Sequence, residues 1–190
     1  AGALLDGGDT KALLSSLVPP PAHPDPPKVY QRSIPITALA FSADGQTVFA
    51  SGYHEVTEWN AANGKLHRRI PREGERTYGL SVSPDGQWLA AASGQPGRLG
   101  EVRLFNSTTG KLSAVMATAT DVMLDVAFSP QGKQLLAGAA DGQVRVIDLA
   151  SRKVERLLPL HTDWVNSVAW DNNGSRIATA SRDHTAKVFD

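Results

Sequence analysis

Ser181, His161 and Asp183 are the residue types of a hydrolytic triad, gathered near the C-terminal end of the chain. A catalytic serine needs presentation to solvent beside an oxyanion hole, commonly signalled by Gly-x-Ser-x-Gly, and no such elbow occurs here. The other histidines, His23, His54, His67 and His184, never stand three or four residues apart and have no carboxylate cluster beside them. They read as exposed loop residues rather than a metal-binding face. The run Gly94-Gln95-Pro96-Gly97-Arg98-Leu99-Gly100 spaces its glycines three apart. That is not the dinucleotide spacing, and no Lys-Ser/Thr follows it, so it reads as a lengthened hairpin. Asn106-Ser107-Thr108 and Asn173-Gly174-Ser175 match the glycosylation pattern but sit where turns favour Asn and Ser. The chain has no cysteine, which excludes disulfides, thiolate zinc, thiol nucleophiles and covalent haem within these residues. Nothing here supplies a nucleophile, a base, a metal or a cofactor. The expected class is not an enzyme, and no cofactor is expected.

The elements that must position these residues are legible in the patterning. The 190 residues carry 19 Lys+Arg against 19 Asp+Glu, so no basic excess exists to attract nucleic acid or an anionic bilayer. At 41% hydrophobic the chain is ordinary globular material. No apolar run reaches the roughly 18 residues a spanning helix needs, so no membrane insertion is expected. The first residues show neither a basic nor an apolar leader region, which places any targeting signal upstream or already removed.

Two regions follow. Residues 1–33 read as a tail: Asp9 caps a short helix over Lys11–Leu17, and Pro19 to Pro27 holds six prolines, a semi-rigid extended spacer. Residues 34–190 are repetitive. Units at 36–70, 77–116, 123–160 and an incomplete one at 165–190 each open with an apolar strand, as in Ala38-Leu39-Ala40-Phe41-Ser42 and Asp125-Val126-Ala127-Phe128-Ser129. A glycine turn follows at Asp44-Gly45, Asp85-Gly86, Gln131-Gly132 and Asn173-Gly174. Next comes an Ala-rich strand, then one ending at Trp59-Asn60, Phe105-Asn106, Ile147-Asp148 or Phe189-Asp190. A fourth strand is visible in three units. Four short strands in about 42 residues is the period of a β-propeller blade, so the expected class is all-β.

These units resemble the WD-repeat family, with the Trp-Asp pair degraded to the four dipeptides above and Leu160-His161 standing for Gly-His. The resemblance implies a buried relay of His161, Asp183 and a hydroxyl from Thr179 or Ser181 in the last unit, with only Asp141 surviving in the third. It turns the apparent triad into a structural device. It also implies that about four blades are present, as part of a seven- or eight-bladed ring or, alternatively, of a ring made by two copies. Lys28–Ser33 would supply a missing outer strand, and open edges would favour self-association. Tyr53-His54-Glu55-Val56, the Gly94–Gly100 run and Trp164 with Arg182-Asp183 are further similar to bacterial, planctomycete-type WD-repeat proteins, often fused to a c-type cytochrome domain. That likeness implies a periplasmic or extracytoplasmic home, with the cytoplasm as the alternative.

The implied function is a protein-interaction scaffold, with redox scaffolding of a cytochrome or larger complex as the alternative. The implied docking surface lies on the side of the second-to-third-strand loops and the unit-to-unit crossovers. It would carry Tyr53, His54, Arg72, Glu73, Arg76, Gln95, Arg98, Asp121, Thr162, Trp164, Arg182 and His184. Arg and aromatic side chains are the types enriched at binding hot spots. The opposite side, made of tight glycine turns, is expected to offer little large apolar surface.

Overall fold

The computed structural model describes Lys28 and residues 34–190, with only the backbone at Arg72. The expected helix over 11–17, the proline spacer and residues 29–33 lie outside the described residues. Every regular element described is a β-strand. The strands are β1 (Leu39–Phe41), β2 (Thr47–Ser51), β3 (Tyr53–Asn60), β4 (Leu66–Val82), β5 (Trp88–Gln95), β6 (Leu99–Asn106) and β7 (Leu112–Ala119). They continue as β8 (Met123–Phe128), β9 (Gln134–Ala139), β10 (Val144–Asp148), β11 (Lys153–Leu158), β12 (Val165–Trp170), β13 (Ile177–Ser181) and β14 (Ala186–Phe189).

All pairings are antiparallel and follow chain order, as tight turns between short strands require. Strands β8 to β11 form one four-stranded blade, and β12 to β14 a three-stranded one. The first seven strands form a single sheet, because β4 serves two blades at once. Its first half pairs with β3, as in Val56 with Ile70. Its second half pairs with β5, as in Leu80 with Ala91. Sequence spacing placed a break between residues 70 and 77. The backbone stays extended through it, and Arg76 pairs with both Tyr53 and Gly94.

Alternation along each strand explains the core. Leu89 and Ala91 of β5 pack into a cluster with Phe49, Val56 and Ile70 of the first blade. Ala90 and Ala92 of the same strand pack the other way, with Met123, Val126 and Leu135 of the third. A third cluster joins Leu136 and Val146 to Val165, Val168 and Ile177. Each inner strand is therefore buried on both faces, which is why it reads as an Ala-rich run and not as apolar–polar alternation.

The two ends lack this cover. Register makes Leu39, Leu80, Val126 and Val168 equivalent. Leu80 is 9% exposed and Val126 3%, but Leu39 is 64% exposed. At the other end Val188 is 66% exposed, while its equivalents Leu104 and Val146 are buried.

Candidate functional site

The relay of the last blade starts from His161, whose imidazole is fully buried ahead of β12. Its Nδ1 lies 2.8 Å from Asp183 Oδ2, and its Nε2 lies 2.7 Å from Thr179 Oγ1. With the proton on Nδ1 donated to the carboxylate, Nε2 accepts from the Thr179 hydroxyl. Asp183 also accepts from Thr185 Oγ1 at 2.6 Å and from the backbone amides of Thr162 and Thr185. These bonds hold its carboxyl well below the usual range, with Thr185 the largest contributor. Ser181 does not meet the imidazole: its Oγ donates to the Asp163 carbonyl at 3.1 Å and accepts from the Asp183 amide at 3.0 Å. Of the two hydroxyls left open by sequence, the imidazole meets Thr179. A serine whose hydroxyl is not bonded to the histidine does not form a nucleophile pair.

The third blade replaces the histidine. Asp141 accepts from Arg145 Nη2 at 2.6 Å, closing the same turn by an ion pair.

The second blade departs further. Thr77 pairs with Ser93 as Val165 pairs with Ser181, so Glu73 and His161, each four residues earlier, occupy one position. Glu73 is completely buried. Its Oε1 accepts from Ser93 Oγ at 2.6 Å and from the Gly74 amide at 2.9 Å, and Arg103 Nε lies 3.9 Å away. Among the described residues, Oε2 has no hydrogen-bond partner, nor has Thr77 Oγ1. Desolvation pushes the Glu73 carboxyl up; the Ser93 bond, the Gly74 amide and Arg103 only partly oppose it. Arg103 also pairs with Glu101 at 2.9 Å, so one guanidinium serves two carboxylates.

Two residues expected on the docking side are therefore not on the surface. Glu73 is buried, and His54 is 7% exposed, with Nδ1 3.4 Å from the Glu73 carbonyl and its ring against Tyr53. Both are drawn inward because β4 runs unbroken across the blade junction. The exposed members on that side are Arg76, Arg98, Thr162, Trp164, Arg182 and His184, with Tyr53 at the edge and Gln95 and Asp121 half-buried. Nothing is described of the Arg72 side chain. The guanidinium of Arg182 stacks 5.0 Å from the Trp164 ring and lies 3.7 Å from Asp163.

The Gly94–Gly100 run is a hairpin between β5 and β6. Gly94 pairs with Gly100, and a Cβ at Gly100 would meet the Asp121 carbonyl, while one at Gly94 would meet Leu99. These glycines permit close packing of backbone, and Asp121 anchors the tip by accepting from the Gly97 amide at 2.9 Å.

The turn side carries a groove with an apolar floor. Trp88, Leu104 and Leu149 line it, between the second and third blades.

Residues 110–148 and 152–190 each match the family model of the WD domain, G-beta repeat. Each matched stretch begins near an outer strand, β7 or β11, and ends with β10 or β14, so one sequence repeat straddles two sheets. The WD repeat-containing protein SL1-17 of Schistosoma mansoni is 32% identical over 136 residues, 72% of this chain and 44% of that protein. The target of rapamycin complex subunit wat1 of Schizosaccharomyces pombe is 29% identical over 144 residues, 74% of this chain and 44% of its own. The LEC14B homolog of Prunus armeniaca is 29% identical over 180 residues, 85% of this chain and 38% of its own. The chain spans less than half the length of these relatives. All three are eukaryotic, and eukaryotic cells have no periplasm, which overturns the periplasmic placement drawn from the bacterial likeness. The expected bacterial and cytochrome associations have no counterpart among these relatives.

Proposed function

The chain carries WD repeats of the G-beta type, and on that premise we propose that it is a non-enzymatic scaffold docking a partner protein on its crossover-loop side. The observation that carries this reading is the Trp164–Arg182 stack: a half-exposed indole beside a guanidinium oriented by Asp163. Such a pair presents a large rigid surface with little further ordering on binding. Arg98, at the tip of a hairpin pinned by Asp121, and Tyr53 extend the same side. That one relative is named as a subunit of a complex agrees with an assembly role. In this reading residues 34–190 are a propeller segment with units at 36–70, 77–116, 123–160 and 165–190, residues 1–33 a tail, and the relay of His161, Thr179 and Asp183 fixes the loop that bears Trp164. The exposed faces around Leu39 and Val188 are covered by further blades or by a second copy.

The test is co-purification from the native cell with the tagged chain, wild type against Trp164→Ala and Arg98→Ala. Each substitution weakens the captured complex by about 1–2 kcal/mol while the melting temperature holds. Retention of the same proteins by both variants would overturn the choice of side.

A further inference from the structure

The groove on the turn side, opposite the docking side proposed above, has a volume of about 370 Å³. Its floor is apolar: Trp88 opens β5, Leu104 lies on β6, and Leu149 follows β10. Trp88 and Leu149 are half-buried and pack on the cluster between the second and third blades. Its rim carries Lys133 and Arg152, both exposed. Neither makes an ion pair among the described residues, and the only side-chain bond of Arg152 goes to the Ser113 carbonyl at 3.3 Å. The indole N–H of Trp88 likewise has no acceptor among the described residues, unlike those of Trp59 and Trp170. One carboxylate lies on the rim, Asp148, and it accepts from the Ser151 amide at 2.7 Å to close its own turn.

The neighbouring groove, between the first and second blades, provides the contrast. It is lined by Asp44, Asp85 and Glu58 with small polar residues and the apolar Phe49 and Val82, and its Arg neighbour, Arg68, is already bound to Glu58. Two grooves at equivalent places in the fold thus have opposite chemistry. The first carries three carboxylates; the second has an apolar floor rimmed by two basic side chains that make no ion pair among the described residues.

We propose that the groove between the second and third blades binds a short acidic peptide of a partner protein. One large apolar side chain would seat against Trp88, Leu104 and Leu149, and flanking carboxylates would meet Lys133, Arg152 and the Trp88 N–H. The volume suits one or two side chains, at the small end of ligand pockets. Basic side chains without an ion pair and an indole N–H without an acceptor, set around an apolar floor, ask for acceptors on the occupant, and charge complementarity at the rim selects an anionic one.

The test measures fluorescence polarisation of three labelled dodecapeptides with the full 190-residue chain. One has a central Leu-Phe flanked by Asp and Glu, one the same centre flanked by Lys, and one the acidic flanks with Ser at the centre. The first binds, and the other two bind weakly or not at all. Lys133→Glu with Arg152→Glu, two exposed changes, leaves the melting temperature unchanged. It weakens the acidic peptide about tenfold or more, the loss of two charge contacts plus repulsion, and shifts preference toward the Lys-flanked one. Equal binding by the variant, or no binding of any peptide, overturns the proposal. So does displacement of the acidic peptide by poly(A) RNA at lower concentration, which would make the groove a nucleic-acid site. Sedimentation showing a dimer that the charge reversal dissolves would assign the groove to a second copy and also overturn it.

Discussion

His161 and Glu73 stand at one position of the repeat and do opposite things with it. In the last blade a buried imidazole offers one donor and one acceptor, and both are met, by Asp183 and by Thr179. In the second blade a buried carboxyl offers only acceptors when ionised, and one of its two oxygens has no partner among the described residues. The first arrangement is a closed circuit with its charge on Asp183, which several donors surround. The second leaves a group that resists ionisation and must share Arg103 with Glu101. A position in a repeat thus fixes where a side chain goes, not whether its chemistry is satisfied there.

The strongest way to break this comparison is His161→Ala. It leaves Thr179 and Asp183 without their shared partner and costs about 1–3 kcal/mol. In a chain of this length the melting temperature falls by roughly 2–4 °C for each kcal/mol, read by thermal unfolding at neutral pH. An unchanged melting temperature would show that the relay is idle.

Glu73→Gln tests the other half, and with opposite sign. The folded-state pKa of Glu73 is raised above its unfolded value, so its native environment is favourable at acid pH. That advantage fades as pH rises from the ordinary glutamate range through the raised value. A neutral amide removes the penalty, and we expect a gain of about 1 kcal/mol near pH 7 that vanishes below pH ~4. A loss at neutral pH would mean that the carboxylate is ionised and held by Arg103.

Asp183→Asn sharpens the contrast. Its folded-state pKa is depressed, so its contribution is present above the ordinary aspartate value and is lost as pH falls through the depressed one. The variant is less stable than wild type at neutral pH, and the gap narrows on acidification. Melting curves of the Glu73 and Asp183 variants across pH must therefore move in opposite directions; parallel curves would contradict the assignment.

The smallest effect concerns the turns beside these two positions. His184 adopts φ 67° and His54 φ 58°, in the left-handed region, where the third blade has Gly142 at φ 77°. His184 is exposed, so His184→Gly relieves strain and gains about 0.5 kcal/mol, measurable by chemical denaturation. His54→Gly relieves the same strain but removes a buried ring from the Glu73 junction, and stability falls.

The repeat, its strands and its turns were legible in the sequence, because strand alternation and the positive φ at Gly45, Gly86, Gly132 and Gly174 are local properties of short segments. The family resemblance also brought together His161, Asp183 and a hydroxyl from Thr179 or Ser181 in the last unit. It did not reveal that Thr179 rather than Ser181 meets the ring. Thr179 and Ser181 are two residues apart and share one face of β13, so the choice depends on where along the strand the imidazole sits, which tertiary packing decides. The Glu73 junction escaped for a similar reason. Its partners, Ser93 and Arg103, are distant in the chain, and an Arg-Glu-Gly-Glu-Arg stretch looks like a solvated loop until β4 is seen to run through it. The groove of Trp88, Leu104 and Leu149 is a product of packing between two blades, and no single segment carries its signature. Periodicity alone fixed what each unit becomes. Which groups are buried, paired or left open was decided between units, where hydrogen bonds and desolvation depend on neighbours far away in the chain.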